Sequence, residues 1–450
     1  MSYNFLEYDQ EQMLLLPPSL QEWVGDGSLA KLVSAIVEEL DGNGELCAFY
    51  ARYRTDGWGR AAYPPRMMVK VLLYGYSLGV RSSRKIEQAL ESDIGFRFLA
   101  ANLKPNFRTI SDFRLENLAA LEGLFSQVLR LCQEAGLGKL GQVALDGRRV
   151  KAATILERNR TKQKLEEQAR RILEEAAAVD AAEDALYGED SRGDELPEQF
   201  RTQKGQLTAI RRALQEINQA EEKIRKEHQE KVEAREAQRR LGKRPKGAEP
   251  KLKEEKIRRI RVNPTDPDSR TIKTRRGFIQ GYNGQVMVDC GSQVIVAQDL
   301  CQAAGDFQML APMLDRCEEQ AGARPEVCIA DGGYWSETNA LLEDERTELF
   351  IAVGSSLAIE EREYRPRKRK NAPRKGPQAV QMRKKLEAPD ARAIYKLRSQ
   401  TVEPVFGQMH ERGLDQFLLR GLKKVHAEWS MFCTSHNILK LWRSLRYCTA

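Results

Sequence analysis

Five apolar runs of strand length lie at 142–145, 285–288, 293–297, 326–330 and 349–353, and about a hundred strongly charged residues separate the first from the rest. Strands of one sheet must meet in space, so the chain has to loop the charged tract out and bring the first run back to the others. The tract, 161–260, is dominated by Glu, Lys, Arg, Gln and Ala. Within it Leu165, Ile172, Ala176 and Val179 mark one amphipathic helix. Leu207, Ile210, Leu214, Ile217 and Ile224 mark a longer one, at the 3-4-3-7 spacing of a coiled-coil seam. The polar stretch 188–197 divides them, and 242–250 breaks the pattern before the next unit. The spacing predicts an antiparallel helical hairpin, a solvated arm inserted after the first strand of an α/β sheet.

Upstream, 1–135 reads as helical. Leu29, Leu32, Val33, Ile36, Val37 and Leu40 recur at helical spacing, and Pro64-Pro65 opens a helix with Met67, Met68, Val71, Leu72 and Tyr76 on one side. Further helices are expected from Ser82-Ser83 and over 109–125. Short helices with Lys104, Arg108 and Arg114 about them are compatible with helix-turn-helix reading of DNA and equally with a plain bundle.

At 450 residues, with 41% hydrophobic and 31% charged, two or three structural units are expected. The net charge is +8 and the excess is local: 365–385 holds ten Lys or Arg and no Asp or Glu. With Pro366, Pro373 and Pro377 interspersed, it reads as a mobile polycation. Clustered cations favour a polyanionic partner, nucleic acid or an acidic membrane surface. No apolar run approaches the ~20 residues that span a bilayer. The first residues are acidic and lack the pattern of a signal peptide, so a cytoplasmic protein is expected. Eight scattered cysteines without a CxxC pair argue for reduced thiols, and four histidines with no i, i+4 pair argue against a histidine metal site.

Two of the apolar runs end in aspartate. The first stops at Asp146-Gly147, followed by Arg148, Arg149 and Lys151; the fourth stops at Asp331-Gly332-Gly333. Asp-Gly is an ordinary turn dipeptide. Two aspartates at strand ends of one sheet, however, converge at its carboxyl edge, where open α/β sheets place ligands. Glu403, in the helical C-terminal region 391–446, offers a third carboxylate; before Pro404 it is also a natural helix-end residue. Asp306, at the start of a helix expected over 306–319, reads as an N-cap, and 335–345 reads as helical. Three carboxylates repel unless a cation lies among them. Mg²⁺ suits such oxygen ligands and leaves positions for water and phosphate oxygens, so metal-assisted phosphoryl transfer on a polyanion is the chemistry indicated.

These residues resemble those of bacterial insertion-sequence transposases of the DDE type, whose catalytic domain has the ribonuclease H-like fold. The likeness is carried by LDGRRVKA, GYNGQVMVD, IADGGYWSE and RSQTVEPVFG and covers nearly the whole chain. It implies an α/β chain with a helical DNA-binding region at 1–135, a catalytic domain at 136–160 and 263–450, and the inserted hairpin at 161–262. Asp146, Asp331 and Glu403 become the metal-binding catalytic triad, with Mg²⁺ as cofactor and Mn²⁺ able to substitute. The family pattern Y-x2-R-x3-E-x6-K is met by Tyr395 and Arg398, but Glu403 comes one position late and His410 replaces the lysine, with Arg412 as its substitute. Candidate DNA contacts are Tyr395, Arg398, His410, Arg412, Trp335, Arg148, Lys273, Arg275, Arg276, Lys368, Arg369 and Lys370. Trp335 is read either as packing or as stacking on a base.

The implied partners are double-stranded DNA, both the element's terminal inverted repeats and the target, and a second copy of the chain paired through the hairpin. No membrane is implied, and the protein would be nucleoid-associated. The activity implied is hydrolytic cutting at the element's ends followed by attack of the freed 3′-hydroxyl on target DNA. The rival readings are a DNA-binding regulator without catalysis, a metal-dependent structure-selective nuclease, and a coiled-coil scaffold.

Overall fold

The computed structural model describes residues 19–56, 61–187, 198–241, 245, 248–252, 254–274, 277–303, 305–353 and 376–448. Its helices begin with α1 (Leu20–Trp23), α2 (Leu29–Gly42), α3 (Cys47–Tyr50), α4 (Pro65–Leu78), α5 (Ser83–Ser92), α6 (Ile94–Leu99), α7 (Phe107–Glu116) and α8 (Leu118–Glu134). The α4 helix starts with proline at its first position, where no backbone N–H is needed, and stops at Gly79 in the left-handed region. Its flanks are both covered, so nearly all its residues are buried. The single helix expected over 109–125 is broken at Asn117, whose side-chain amide donates to the Phe113 carbonyl at 2.7 Å.

Among the described residues the sheet has six strands: β1 (Gln142–Lys151), β2 (Arg270–Thr274), β3 (Gly277–Asp289), β4 (Ile295–Cys301), β5 (Val327–Ala330) and β6 (Glu348–Ile351). Their order is β2-β3-β1-β5-β6, with β4 also on β3. β1 is antiparallel to β3 and parallel to β5, and β6 is parallel to β5. The parallel strands are short and wholly apolar at their centres because helices cover both faces.

Between β1 and β2 run α9 (Lys162–Tyr187), α10 (Glu198–Arg240) and α11 (Glu254–Arg258). Leu165 and Ile172 pack with Ile210, Ala213 and Ile217 in a core of their own. The Lys162 ammonium reaches Asn218 at 2.9 Å, which sets the two long helices antiparallel. At the base, Arg160 and Val262 exchange two backbone hydrogen bonds of 2.9 and 3.0 Å, and Arg212 pairs with Asp268 at 2.8 Å.

α12 (Leu310–Ala321) follows β4, and α13 (Glu337–Ala340) follows β5. The helix expected over 335–345 is thus only one turn. The chain ends in α14 (Pro377–Glu387), α15 (Pro389–Glu411) and α16 (Leu422–Cys448). Of the polycation expected over 365–385, the part from Pro377 is helix; 354–375 lies outside the described residues.

α16 joins the halves of the molecule, packing on α4, α8 and β4. Asn437 on it both donates to and accepts from the Ile295 backbone at 2.8 and 2.9 Å, satisfying the exposed side of β4. Buried Glu428 accepts from the Leu418 and Leu419 backbone and from Arg81 at 2.9 Å, tying the start of α5 to the loop before α16. One hydrophobic cluster runs from Val33 through Leu129 and Phe432 to Ile329. Among the described residues no helix is long and apolar enough to cross a membrane, and Cys47, Cys132, Cys290, Cys301, Cys317, Cys328 and Cys433 are free.

Candidate active site

Asp146-Gly147 is not a turn. β1 continues through both residues to Lys151, paired with β3 at Asp146–Val286 and Gly147–Gln285. What stops there is the partner on the other side: β5 ends at Ala330, opposite Leu145. Asp146 and Asp331 therefore take the next positions on neighbouring parallel strands, at the carboxyl edge of the sheet.

The Asp146 carboxylate accepts from the Arg398 guanidinium at 2.7 Å and from the Gly147 amide at 2.8 Å. Burial lifts its pKa to about 6; Arg398 opposes that, while Asp331 and then Asp306 add repulsion. Asp331 accepts from the Gly333 amide at 2.8 Å. Tyr395 and Arg398, one turn apart on α15, face this edge together, and burial raises the tyrosine pKa. Each feels the charges of both aspartates.

Asp306 is not an N-cap. α12 begins at Leu310, and the Asp306 carboxylate turns to β3, accepting from Asn283 at 2.7 Å and Gln285 at 3.0 Å, with Arg149 at 3.4 Å. The Tyr334 hydroxyl donates to the Gln285 carbonyl oxygen from the other side. Sequence reasoning left this residue out of the site. The signal was there in β3, where Asn283 and Gln285 are polar positions two apart that are wholly buried. Two glycines make room: a Cβ on Gly147 would come within 2.9 Å of Asp306 Oδ1, and one on Gly333 within 2.8 Å of Asp331 Oδ1 and 3.3 Å of Asp306 Oδ2.

Glu403 is exposed on α15, about 140° around the axis from Arg398 by helical geometry. The helix does not end before Pro404 but passes through it. Pro404 has no N–H for the Gln400 carbonyl, which instead accepts from the Gln293 side chain at 3.3 Å. His410 pairs with Asp415 at 2.7 Å. Arg412 turns inward to His436 at 3.3 Å, and burial pulls its pKa down to about 10. Trp335, offered for stacking on a base, is 3% exposed and packs in the core. Arg148 lies over the Phe406 ring at 5.8 Å, and Lys273 is exposed on β2. Arg275, Arg276, Lys368, Arg369 and Lys370 lie outside the described residues.

Among the described residues no three His, Cys, Asp or Glu side chains are gathered to hold an ion. The donors at the edge are nonetheless all hard oxygens, with burial and then the neighbouring carboxylates raising Asp146 and arginines in the place of counter-cations. That chemistry suits Mg²⁺ or Mn²⁺ rather than a soft metal.

Residues 18–116, which span α1 to α7, match the family described as a transposase domain (DUF772). Residues 361–442, which include Arg398 and Glu403, match the family described as a transposase DDE domain. No curated protein and no solved structure matches the chain.

Proposed function

Because the chain is an insertion-sequence transposase of the DDE type, we propose that it binds the ends of its own element, cuts them by phosphodiester hydrolysis and joins the 3′-hydroxyl to target DNA. The observation that carries this reading is the placement of Asp146 and Asp331 side by side at the sheet's carboxyl edge, with Arg398 on one of them. The strand order, with β1 between an antiparallel β3 and a parallel β5, supports a ribonuclease H-like catalytic domain made of 136–160 and 263–450. In this reading 1–135 binds DNA and 161–262 is an insertion.

Asp146, Asp331 and Glu403 would hold Mg²⁺, or Mn²⁺ in its place. Bound there, the metal would supply Lewis acidity and an activated water for an in-line displacement. Glu403 joins the aspartates only if α15 bends, and the missing hydrogen bond between Pro404 and Gln400 provides the weak point. Tyr395 and Arg398 are set to meet a phosphate as it enters, the planar guanidinium offering two parallel donors. Arg148 and Lys273 would add positive charge along the path of the duplex and His410 would contact it, while the basic residues of 365–375 lie outside the described residues. Arg412 and Trp335 serve packing instead. Two copies, one per element end, are the assembly this chemistry calls for, at the nucleoid where the DNA is.

The test is cleavage of DNA spanning the element's own flanks by wild type and Asp331→Asn, in Mg²⁺ and in Ca²⁺. The expected result is cutting by wild type in Mg²⁺ alone, with at least a hundredfold loss in the variant, since a ligand to the reacting metal supports several kcal/mol of the barrier. Cutting that survives the substitution would overturn the assignment. Binding without cutting favours a second reading, a regulator that keeps the fold, for which the observation is the exposed Glu403 standing away from both aspartates.

A further inference from the structure

Positive charge gathers without a counter-ion far from the aspartates, at the turn that joins β3 to β4. His436, Lys440 and Arg443 recur at i, i+4 and i+7 and form one stripe of α16. Arg412, at the end of α15, reaches that stripe by donating to His436 Nδ1 at 3.3 Å. We propose that Lys440 and Arg443 form an oxyanion site that takes a phosphate group, either of a DNA backbone or of free phosphate; DNA as the source rests on the transposase reading above.

Gln293, in the turn, holds the site together. Its Oε1 accepts from Lys440 Nζ at 2.7 Å, its backbone carbonyl accepts from His436 Nε2 at 2.9 Å, and its Nε2 donates to the Gln400 carbonyl at 3.3 Å. An amide oxygen orients the ammonium but brings no charge to neutralise it. His436 donates through one nitrogen and accepts from Arg412 through the other, so it is a neutral imidazole. Burial, then Arg412, Lys440 and Arg443, pull its pKa down to about 3. Arg412 is mostly buried, and it adds positive charge to the site rather than a contact.

The surplus is not cancelled nearby. Among the described residues no carboxylate forms an ion pair with Arg412, Lys440 or Arg443. The carboxylate of the turn, Asp289, is taken up by the Gly291 and Ser292 amides at 3.2 and 3.0 Å. Half-buried Lys440 accordingly has its pKa pulled down to about 8, by desolvation first and then by Arg443 and Arg412. A partly desolvated cation without a counter-charge is costly, and a bound anion relieves it. Of the three ammonium donors one goes to Gln293, and the exposed Arg443 offers a planar fork. The oxygens of a phosphate satisfy that set better than the two of a carboxylate. The place is separate from the cutting site: Asp289 pairs with Val143 near the start of β1, so Gln293 lies at the opposite edge of the sheet from Asp146 and Asp331.

Arg443 is exposed, so Arg443→Gln removes its charge at little cost to the fold. Lys440→Gln removes the ammonium and leaves an amide that can still donate to Gln293. The full chain and both variants would be titrated with inorganic phosphate at constant ionic strength, followed by calorimetry and by melting temperature. A fluorescent duplex carrying an element end would be titrated at several salt concentrations alongside. Each variant is expected to bind phosphate about tenfold more weakly, the usual loss for one charge-assisted hydrogen bond. Its slope of log affinity against log salt for the duplex is expected to shallow by about 0.9, one phosphate contact. Phosphate binding weakened while duplex affinity and slope hold would keep the oxyanion site and overturn DNA as its source. Phosphate affinity and duplex slope unchanged in both variants would overturn the inference and leave the transposase reading standing. A wild type that binds phosphate but no duplex would overturn the transposase reading and leave the site.

Discussion

Gly284 is set by what stands opposite it. A Cβ there would lie 2.6 Å from the indole ring of Trp429, itself fully buried on α16. Its neighbours on β3 alternate by the strand's period of two: Tyr282 turns to Asp266 at 2.8 Å, and Asn283 and Gln285 turn to Asp306. One tetrapeptide thus seats α16 on one face of the sheet and a carboxylate on the other. Gly284→Ala is expected to destabilise the chain by about 1–3 kcal/mol, the usual cost of overpacking a filled core. It would be read as a lower urea midpoint at unchanged slope. A midpoint equal to wild type would show that the indole has room to yield.

Among the elements, α16 depends on one histidine. His426 lies between Asp299 of β4 at 3.1 Å and Glu122 of α8 at 3.3 Å, and Arg316 of α12 reaches Asp299 at 3.9 Å. Burial alone would lower its pKa, but the two carboxylates win and raise it to about 9. A folded-state value above the unfolded one of ~6.5 means that the stabilisation is whole below pH 6.5 and is lost as pH rises through 9. Its size is on the order of 3 kcal/mol at most, from about 1.4 kcal/mol per pKa unit. Unfolding free energies at pH 6 and pH 9.5 should therefore differ more for wild type than for His426→Gln, and equal differences would refute the bridge. The same elements show where sequence pattern misleads. Asp146-Gly147 carries the signature of a turn and Glu403-Pro404 that of a helix end, yet a strand and a helix run through them, because β3 pairs on past Asp146 and Gln293 takes the carbonyl that Pro404 releases.

For the whole molecule, the heptad-spaced stripe of α10 that suggested pairing with a second chain is already covered. Ile210 and Ile217 pack on Leu165 and Ile172 of the same chain, so little of the stripe is left to bury against a partner. Excision of 161–261 is expected to leave the oligomeric state unchanged, since Arg160 and Val262 are already bonded to each other and can be joined by a short turn. Light scattering on the excised and full chains would show it. A dimer that became a monomer would return the interface to the hairpin.

The sequence by itself determined the local items: five of the strands and most of the helices, though not β2, that the charged tract forms paired helices, and which aspartates lie at or beside the end of a parallel strand. These follow from periodicity and from residue types whose preference is local, such as Pro65 at a helix start and Gly79 at its stop. Only the tertiary structure decided that Asp306 turns to Asn283 and Gln285, that Trp335 packs in the core and Arg412 turns to His436, and that Arg398 rather than Glu403 sits on Asp146. The physical reason is that a carboxylate's neighbours are set by strand register and helix rotation. Asn283 and Asp306 meet across 23 residues and Arg398 and Asp146 across 252, distances over which no local preference acts.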